Sequence, residues 1–257
     1  MKANKSLGQN FLQDKNIIGK IVDSIDLASN DLVIEIGPGQ GALTRALKEK
    51  DVQLIAFEID ERMHECLDSL EDNKTKIIYD DILKVDLKEY LLTFRYNKLY
   101  VIANLPYYIT TPIIEKFLKS DIRFDAIVVM VQNEVADRFS AKPGTRDYGY
   151  MTVLINSLYD VKKLFIVKNT CFNPMPKVDS AVVKFDSKNI EVSNFDYNKL
   201  DKLLSMSFAH KRKTLKNNLP KDIWEKVKTY LFQNNIDLNV RAENLSVENY
   251  IDISNLI

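Results

Sequence analysis

The chain has 257 residues, of which 46% are hydrophobic and 28% are charged, and its 36 basic and 36 acidic side chains cancel. This composition is globular and excludes a disordered or fibrous chain, and the balanced charge leaves no overall field to attract a polyanion. The chain has only two cysteines, Cys66 and Cys171, which do not form a disulfide framework and indicate a reducing compartment. It also has no apolar run of membrane-spanning length and no signal-peptide pattern, so we expect a cytoplasmic protein.

The first two-thirds of the chain alternates helical and strand patterns. Apolar residues at helical spacing predict a helix over 16–25, and further helices are expected over 41–50 and around 63–70. Short apolar runs predict strands over 31–36, 53–58, 76–79, 98–103, 126–131, 163–167 and 179–185. Because helical segments separate most of these strands, we expect an α/β fold with a mostly parallel sheet covered on both faces. The last two strands have no helix between them and predict an antiparallel hairpin at one edge.

The strand patterns stop after residue 186. Helical patterns follow over 196–208, 212–218, 221–234 and 246–254. We therefore predict an α/β domain over 1–186 and a small all-helical domain over 187–257. The second domain carries the clearest basic cluster, His210-Lys211-Arg212-Lys213. Such a run is either a contact for nucleic acid or a solvated helix face, and both interpretations stay open.

A glycine-rich segment, Glu35-Ile36-Gly37-Pro38-Gly39-Gln40-Gly41, joins the first predicted strand to a helix. Glycines at this place let the backbone turn tightly and approach a ligand. Glu58 ends the next strand, where an acid typically accepts hydrogen bonds from a ribose diol. Pro38 lacks the N–H that a pyrophosphate requires, which favours S-adenosylmethionine over NAD, and Asp81 could accept from an adenine amino group. An ordinary tight turn between strand and helix is the alternative.

A second motif, Asn104-Leu105-Pro106-Tyr107, ends the fourth predicted strand. Because Pro106 fixes its own φ and restricts Leu105, the turn holds the Asn104 amide oxygen and the Leu105 carbonyl in one direction. Two fixed acceptors suit an exocyclic amino group, and they would align adenine N6 with a methyl sulfonium without a general base. Tyr107 offers a face on which a base can stack. The alternative is a rigid structural turn with a surface tyrosine.

These motifs resemble those of the ribosomal RNA adenine dimethyltransferases, specifically the bacterial small-subunit group. The resemblance runs nearly end to end. It also includes Leu7-Gly8-Gln9-Asn10-Phe11-Leu12, Val131-Gln132-Asn133-Glu134-Val135-Ala136, Phe172-Asn173-Pro174-Met175-Pro176-Lys177-Val178-Asp179-Ser180-Ala181-Val182 and residues 208–219. It implies a class I methyltransferase sheet, which is Rossmann-like, and a helical C-terminal domain that contacts ribosomal RNA.

The resemblance also implies roles for individual residues. The methyl donor, S-adenosylmethionine, would contact Asn10, Leu12, Gly37, Glu58, Asp81 and Asn104, and Gly39 joins this set as part of the glycine loop. The reacting base would lie against Asn104, Leu105, Pro106 and Tyr107. Phe172 would close the other face of the base, unless it is simply part of the core. Lys211, Arg212 and Lys213 would touch RNA, and no metal is expected because His64 and His210 lack ligand spacing.

The function implied is dimethylation of N6 on two adjacent adenosines near the 3′ end of 16S rRNA, within the small ribosomal subunit. The target base has to leave its stack, because N6 is otherwise inaccessible. A monomer is the default expectation. Three alternatives stay open: a 23S rRNA methyltransferase of the macrolide-resistance type, an assembly factor of the small subunit that acts chiefly by binding, and a DNA adenine methyltransferase, for which no sequence-reading domain is evident.

Overall fold

A computed structural model describes residue 4 and residues 7–188 and 195–257. Its strands are β1 (Phe11–Leu12), β2 (Leu32–Ile36), β3 (Gln53–Glu58), β4 (Thr75–Tyr79), β5 (Leu99–Asn104), β6 (Ala126–Gln132), β7 (Tyr159–Val167), β8 (Phe172–Asn173) and β9 (Ser180–Ser187). Its α-helices are α1 (Lys15–Val22), α2 (Ala42–Lys48), α3 (His64–Leu67), α4 (Leu87–Leu91), α5 (Thr110–Lys119), α6 (Asn133–Phe139), α7 (Tyr150–Leu158), α8 (Tyr197–Ser207), α9 (Leu215–Asn218), α10 (Lys221–Gln233) and α11 (Val247–Leu256). Short 3₁₀ helices lie at Glu61–Met63, Asp68–Leu70, Tyr107–Ile109, Asn169–Cys171 and Ala242–Asn244.

A seven-stranded sheet with the order β4-β3-β2-β5-β6-β9-β7 runs through the α/β part of the described chain. The five strands from β4 to β6 are parallel to one another. Strand β9 is antiparallel to β6, and β7 lies beyond it at the edge. The predicted parallel sheet with an antiparallel edge hairpin is thus confirmed. The strand order reverses between β2 and β5, which is where ligands bind in open α/β sheets.

The central strands are buried on both faces. Every residue of β2 is buried, as are the first six residues of β6. Helices on both faces of a parallel sheet remove both sides of each strand from water, so these strands form continuous apolar runs instead of alternating patterns. This burial makes the ends of the strands, where the polar side chains begin, the natural position for a site.

A second sheet of two short strands, β1 and β8, joins the N-terminal segment (residues 7–12) to the loop before β9. In this antiparallel pair Phe11 lies opposite Asn173, and Leu12 lies opposite Phe172. Leu12 and Phe172 are both buried in the same apolar cluster. The sequence does not predict this pair, because two-residue strands have no recognisable periodicity.

The described residues form two compact units, one within 1–136 and 162–187 and the other within 137–161 and 188–257. In the second unit the fully buried Tyr250 lies 5.7 Å from the Phe208 ring, and its hydroxyl donates to the Ala242 carbonyl. Residues 137–161, which fall in the first predicted domain, group here with the C-terminal helices. The domain boundary at 186 stays a prediction.

The helices predicted over 196–208, 221–234 and 246–254 correspond to α8, α10 and α11. The helix predicted over 212–218 begins only at Leu215, because Thr214 is extended and forms a β-bridge with Arg241. The predicted start was therefore wrong. None of the helices in the described ranges is long and apolar enough to cross a membrane.

Candidate active site

A cleft opens where the parallel strands β2, β3, β4 and β5 end. It encloses about 1000 Å³ of empty space, part of which is open to solvent. Most of the residues assigned to the site from the sequence line it, namely Asn10, Leu12, Gly37, Gly39, Glu58, Asp81, Asn104, Leu105, Pro106 and Tyr107. The fold thus brings together side chains that lie far apart in the chain, at the switch point of the sheet.

The loop after β2 requires glycine for two different reasons. Gly37 and Gly39 have φ values of +66° and +56°, in the left-handed region that glycine adopts without strain. A Cβ on Gly39 would also lie only 2.9 Å from the ring of Phe11. The bare backbone of Gly39 therefore lets the N-terminal segment pack against the loop at the lip of the cleft.

Glu58, the last residue of β3, is held in place by two backbone amides. Its Oε2 accepts from the Gly39 N–H and its Oε1 accepts from the Asp60 N–H, both at 2.9 Å. Only 4% of the residue is exposed. Burial raises the pKa of this carboxyl, and the two amide hydrogen bonds oppose the rise. Since each carboxylate oxygen can accept a second bond, a fixed acceptor remains for a ligand hydroxyl.

Glu35 is a buried acid within the apolar strand β2, and it is not among the site residues predicted from the sequence. It is 1% exposed, and its Oε2 has no hydrogen-bond partner within the described part of the chain. Burial raises the pKa of this carboxyl to about 8; the nearby Thr44 opposes the rise and the charge of Glu58 adds to it. A charged residue in an otherwise apolar strand is the sequence signal that could have identified it, because an unpaired buried acid is costly unless a ligand compensates it.

The N-terminal segment, residues 7–12, lies at the ends of the strands, and all six of its residues line the cleft. The Asn10 carbonyl accepts a hydrogen bond from Asn104 Nδ2 at 3.3 Å. Gln9 Nε2 donates to Asp60 Oδ2 at 2.7 Å. The contact between Gln9 and Asp60 had no sequence signal, since 51 positions separate the two residues.

The turn after β5 leaves two acceptors unused. The Leu105 N–H donates to the Met130 carbonyl, and the Pro106 carbonyl accepts from Ile109 and Thr110. Within the described residues no hydrogen bond is recorded to Asn104 Oδ1 or to the Leu105 carbonyl. The turn is therefore fixed by its neighbours while the two oxygens keep their accepting capacity.

Tyr107 is anchored at its polar end. Its hydroxyl shares a hydrogen bond with Ser180 Oγ at 2.6 Å, and burial raises the pKa of that hydroxyl. Ser180 is fully buried at the start of β9. The ring itself lines the cleft, so its face is fixed next to the two acceptors of the turn.

Asp81 follows β4 at the opposite side of the cleft. Its Oδ1 accepts from the Leu83 N–H at 3.0 Å, and Lys84 Nζ lies 3.5 Å from its Oδ2. Asp80 lines the cleft beside it. With Glu35 and Glu58, these residues give the cleft four acidic side chains, whereas no lysine or arginine occurs among its described lining residues.

Two groups of predicted residues are not brought to this cleft. Phe172 does not line it but is 5% exposed, within the apolar cluster that contains Leu12. Lys211, Arg212 and Lys213 are exposed in the turn before α9, in the second compact unit. Among the described residues, no group of three or more His, Cys, Asp or Glu side chains could hold a metal ion.

The reversed strand order, the glycine loop after the first parallel strand and the cleft beside it define a class I methyltransferase fold. The model of one family, described as ribosomal RNA adenine dimethylase, matches residues 1–257. The chain belongs to this family, as the resemblance of its motifs predicted.

Curated relatives match over most of their length. The Ribosomal RNA small subunit methyltransferase A of Streptococcus gordonii is 43% identical over 266 residues, covering 98% of this chain and 91% of the relative. The protein of the same name from Levilactobacillus brevis is 43% identical, covering 98% of this chain and 89% of the relative.

Two solved structures have the same architecture. The crystal structure of a dimethyladenosine transferase from Plasmodium falciparum has a TM-score of 0.78 at 26% identity, with 95% of each chain covered. The 23S rRNA methyltransferase ErmE has a TM-score of 0.69 at 22% identity, covering 96% of this chain and 98% of that one. At that identity the likeness to ErmE shows the fold alone.

Proposed function

We propose that this protein uses S-adenosylmethionine to dimethylate N6 of two adjacent adenosines near the 3′ end of 16S rRNA, in the small ribosomal subunit. The observation that carries the proposal is the pair of unused acceptors, Asn104 Oδ1 and the Leu105 carbonyl, beside an acid-lined cleft. The names of the relatives from Streptococcus gordonii and Levilactobacillus brevis support the small subunit as the target.

The residues of the cleft fit the methyl donor. S-Adenosylmethionine carries a sulfonium and an ammonium group, and Glu35 offers a buried carboxyl oxygen without a partner among the described residues, whose ionised form a bound cation would favour. Glu58, held by two amides, would accept from the ribose hydroxyls. Asp81 would accept from the adenine amino group, while Asn10, Leu12, Gly37 and Gly39 would line the rest of the donor site. The four acids, with no lysine or arginine among the described lining residues, disfavour a phosphate-bearing cofactor such as NAD.

The target base would lie at the turn after β5. Asn104 Oδ1 and the Leu105 carbonyl would accept from the two N6 hydrogens, which orients the amine and favours a more tetrahedral nitrogen. Pro106 keeps the turn rigid, and Tyr107 would stack on the base. When bound, S-adenosylmethionine supplies a methyl group on a sulfonium, which is both a strong electrophile and a good leaving group. Catalysis is thus by alignment and fixed dipoles. At each transfer N6 gains a methyl group and releases one proton to solvent, so in the second transfer only one hydrogen is left for the two acceptors.

Phe172 and the basic turn of residues 211–213 would contact the RNA substrate and not the methyl donor. Phe172 would have to leave the apolar cluster to close the other face of the base, so this role carries a rearrangement that Tyr107 does not need. Lys211, Arg212 and Lys213, which are exposed, would contact the phosphates of ribosomal RNA. We also propose that the protein acts as a monomer on the 30S particle.

The experiment that tests this function is methyl transfer by the purified chain to 30S subunits that lack the modification. We expect N6,N6-dimethyladenosine in the digested 16S rRNA, in an amount of two per particle, and none in 50S subunits treated in the same way. Methylation of 23S rRNA alone would establish the macrolide-resistance alternative. Binding to 30S subunits without any methyl transfer would establish the assembly-factor alternative.

A further inference from the structure

A side-chain bridge joins the N-terminal segment to the end of β3. Gln9 uses both ends of its amide: Nε2 donates to Asp60 Oδ2, and Oε1 accepts from the Asn4 N–H, each at 2.7 Å. The side chain of Gln9 therefore connects two parts of the chain instead of pointing freely into solvent.

Asp60 is built to hold such a bond. The guanidinium of Arg62 donates to both of its carboxylate oxygens, and the residue is 6% exposed. The hydrogen bonds from Arg62, helped by that from Gln9, lower the pKa of Asp60 to about 2, so the carboxylate stays ionised at physiological pH. A bond to an ionised, largely buried acceptor is stronger than one between neutral groups.

The same residue also fixes the acid that faces the donor. The backbone N–H of Asp60 donates to Glu58 Oε1, while its side chain holds Gln9. At the far end of the segment, Phe11 and Leu12 pair with β8. Between these two attachments, the hydrogen bond from Asn104 to the Asn10 carbonyl is longer, at 3.3 Å.

We propose that Gln9 and Asp60 form a clasp that holds the N-terminal segment across the cleft, and that both are positioning residues for the methyl donor. This inference rests on the proposed function, because the cleft must bind a donor. The clasp keeps residues 7–12 in place against the glycine loop and Asn104, so that donor release requires it to open. Loss of the clasp should therefore accelerate release more than it affects the fold.

The test uses the full chain with Gln9→Ala and Gln9→Glu, and Gln13→Ala and Gln13→Glu as matched controls. Gln13 is exposed just beyond the segment, and no hydrogen bond of its side chain is recorded among the described residues. Two quantities are measured: amide hydrogen exchange of residues 7–12 without ligand, and the dissociation rate of S-adenosylhomocysteine. We expect Gln9→Ala to accelerate both by about tenfold, the size expected for one charge-assisted hydrogen bond. Gln9→Glu should accelerate them further, since it places a carboxylate beside Asp60.

The clasp is overturned if the Gln9 variants exchange and release like the Gln13 variants. Faster exchange with an unchanged dissociation rate also overturns it, because the clasp would then not act on the donor. Failure of the unsubstituted chain to bind S-adenosylhomocysteine would instead overturn the proposed function. In that case the exchange of residues 7–12 alone decides whether the clasp holds the segment.

Discussion

The hydroxyl of Tyr107 lies 2.6 Å from Oγ of Ser180, a residue 73 positions later in the chain. Ser180 begins β9, opposite Gln132 at the end of β6, so the tyrosine is tied to the antiparallel edge of the sheet. Pro106 restrains the other end of the Tyr107 residue through the backbone. An aromatic ring fixed at both ends presents one face to a base without losing further freedom on binding.

We expect Tyr107→Phe and Ser180→Ala each to lower kcat for methyl transfer by about tenfold, since either leaves a buried hydroxyl unpaired. The kcat of the double variant should be no lower than that of either single variant, because the double variant and both single variants lack the same hydrogen bond. Tyr148→Phe is the matched control, since the buried Tyr148 hydroxyl has no hydrogen-bond partner among the described residues. Additive losses in the double variant would show that the two residues act separately.

Removal of the Asn104 acceptor should affect the reaction more than donor binding. We expect Asn104→Ala to lower kcat by about 100-fold or more, the loss typical of one preorganised polar group in an active site. Donor affinity should fall by less than about tenfold, because only the long bond to the Asn10 carbonyl is removed from that side. Steady-state kinetics and calorimetry with S-adenosylhomocysteine measure the two effects, and the exposed Asn198→Ala serves as the control. Unchanged kcat would remove Asn104 from the mechanism.

The raised pKa of Glu35 predicts a dependence of stability on pH. Its carboxyl has a pKa near 8 in the folded protein and 4.5 as the ordinary value, so the native state holds the proton more tightly. The free energy of unfolding should therefore fall as pH rises from about 4.5 to about 8 and then level off. Asp60 and Asp72, with pKa values near 2, lose their protons below this window.

Urea unfolding between pH 5 and 9, without donor, measures this dependence. Glu35→Gln should remove a large part of the decline, leaving the part contributed by Glu58, whose pKa is also raised by burial. The exposed Glu65→Gln should keep the whole decline. Identical profiles for the Glu35 variant and the unsubstituted chain would contradict the assignment.

Alanine substitutions at Gly39 and Gly144 separate the effect of backbone strain from that of a steric clash with a neighbouring side chain. Both have positive φ, at +56° and +80°, but a Cβ on Gly144 meets nothing within 4 Å whereas one on Gly39 meets the Phe11 ring. Gly144→Ala should cost about 1–2 kcal/mol of unfolding free energy and leave donor binding unchanged. Gly39→Ala should cost more and also weaken S-adenosylhomocysteine binding, because the N-terminal segment has to shift. Equal behaviour of the two variants in calorimetry would contradict this.

Neutralisation of the exposed basic turn tests its proposed role in RNA binding. The triple change of Lys211, Arg212 and Lys213 to Gln should weaken binding to 30S subunits and lower the salt dependence, by about one unit of slope for each phosphate that is no longer neutralised. Donor binding should not change. The same substitution at the exposed Lys202, Lys221 and Lys228 controls for net charge. Filter binding at several salt concentrations measures the affinity of both triple variants for 30S subunits. If both variants lose the same affinity, the effect is one of general charge and not of a local interaction.

The sequence predicted what depends on local patterns. Continuous apolar runs indicated the buried strands such as β2, and the acids and glycines that follow those runs indicated the cleft. The contacts that sequence could not predict are long-range. Gln9 with Asp60 and Tyr107 with Ser180 are each more than 50 positions apart, and no periodicity links them.

At the start of α9 and at Phe172, long-range contacts determine the conformation more strongly than the local sequence does. Thr214 is drawn into an extended bridge with Arg241, which delays the helix to Leu215. Phe172 pairs opposite Leu12 in the small sheet and is buried there. In both cases a partner elsewhere in the chain decides the conformation, and local propensity does not.

The acid lining of the cleft has a consequence for competition inside a cell. ATP, ADP and other adenine nucleotides share the adenosine moiety of the proposed donor, S-adenosylmethionine, and would compete with it for the same surface. Glu35, Glu58, Asp80 and Asp81 line that surface without a lysine or arginine among the described lining residues, so a phosphate group would meet acidic neighbours there and no cationic partner. With the proposed donor, this lining would discriminate between metabolites that carry the same base and sugar but opposite charge.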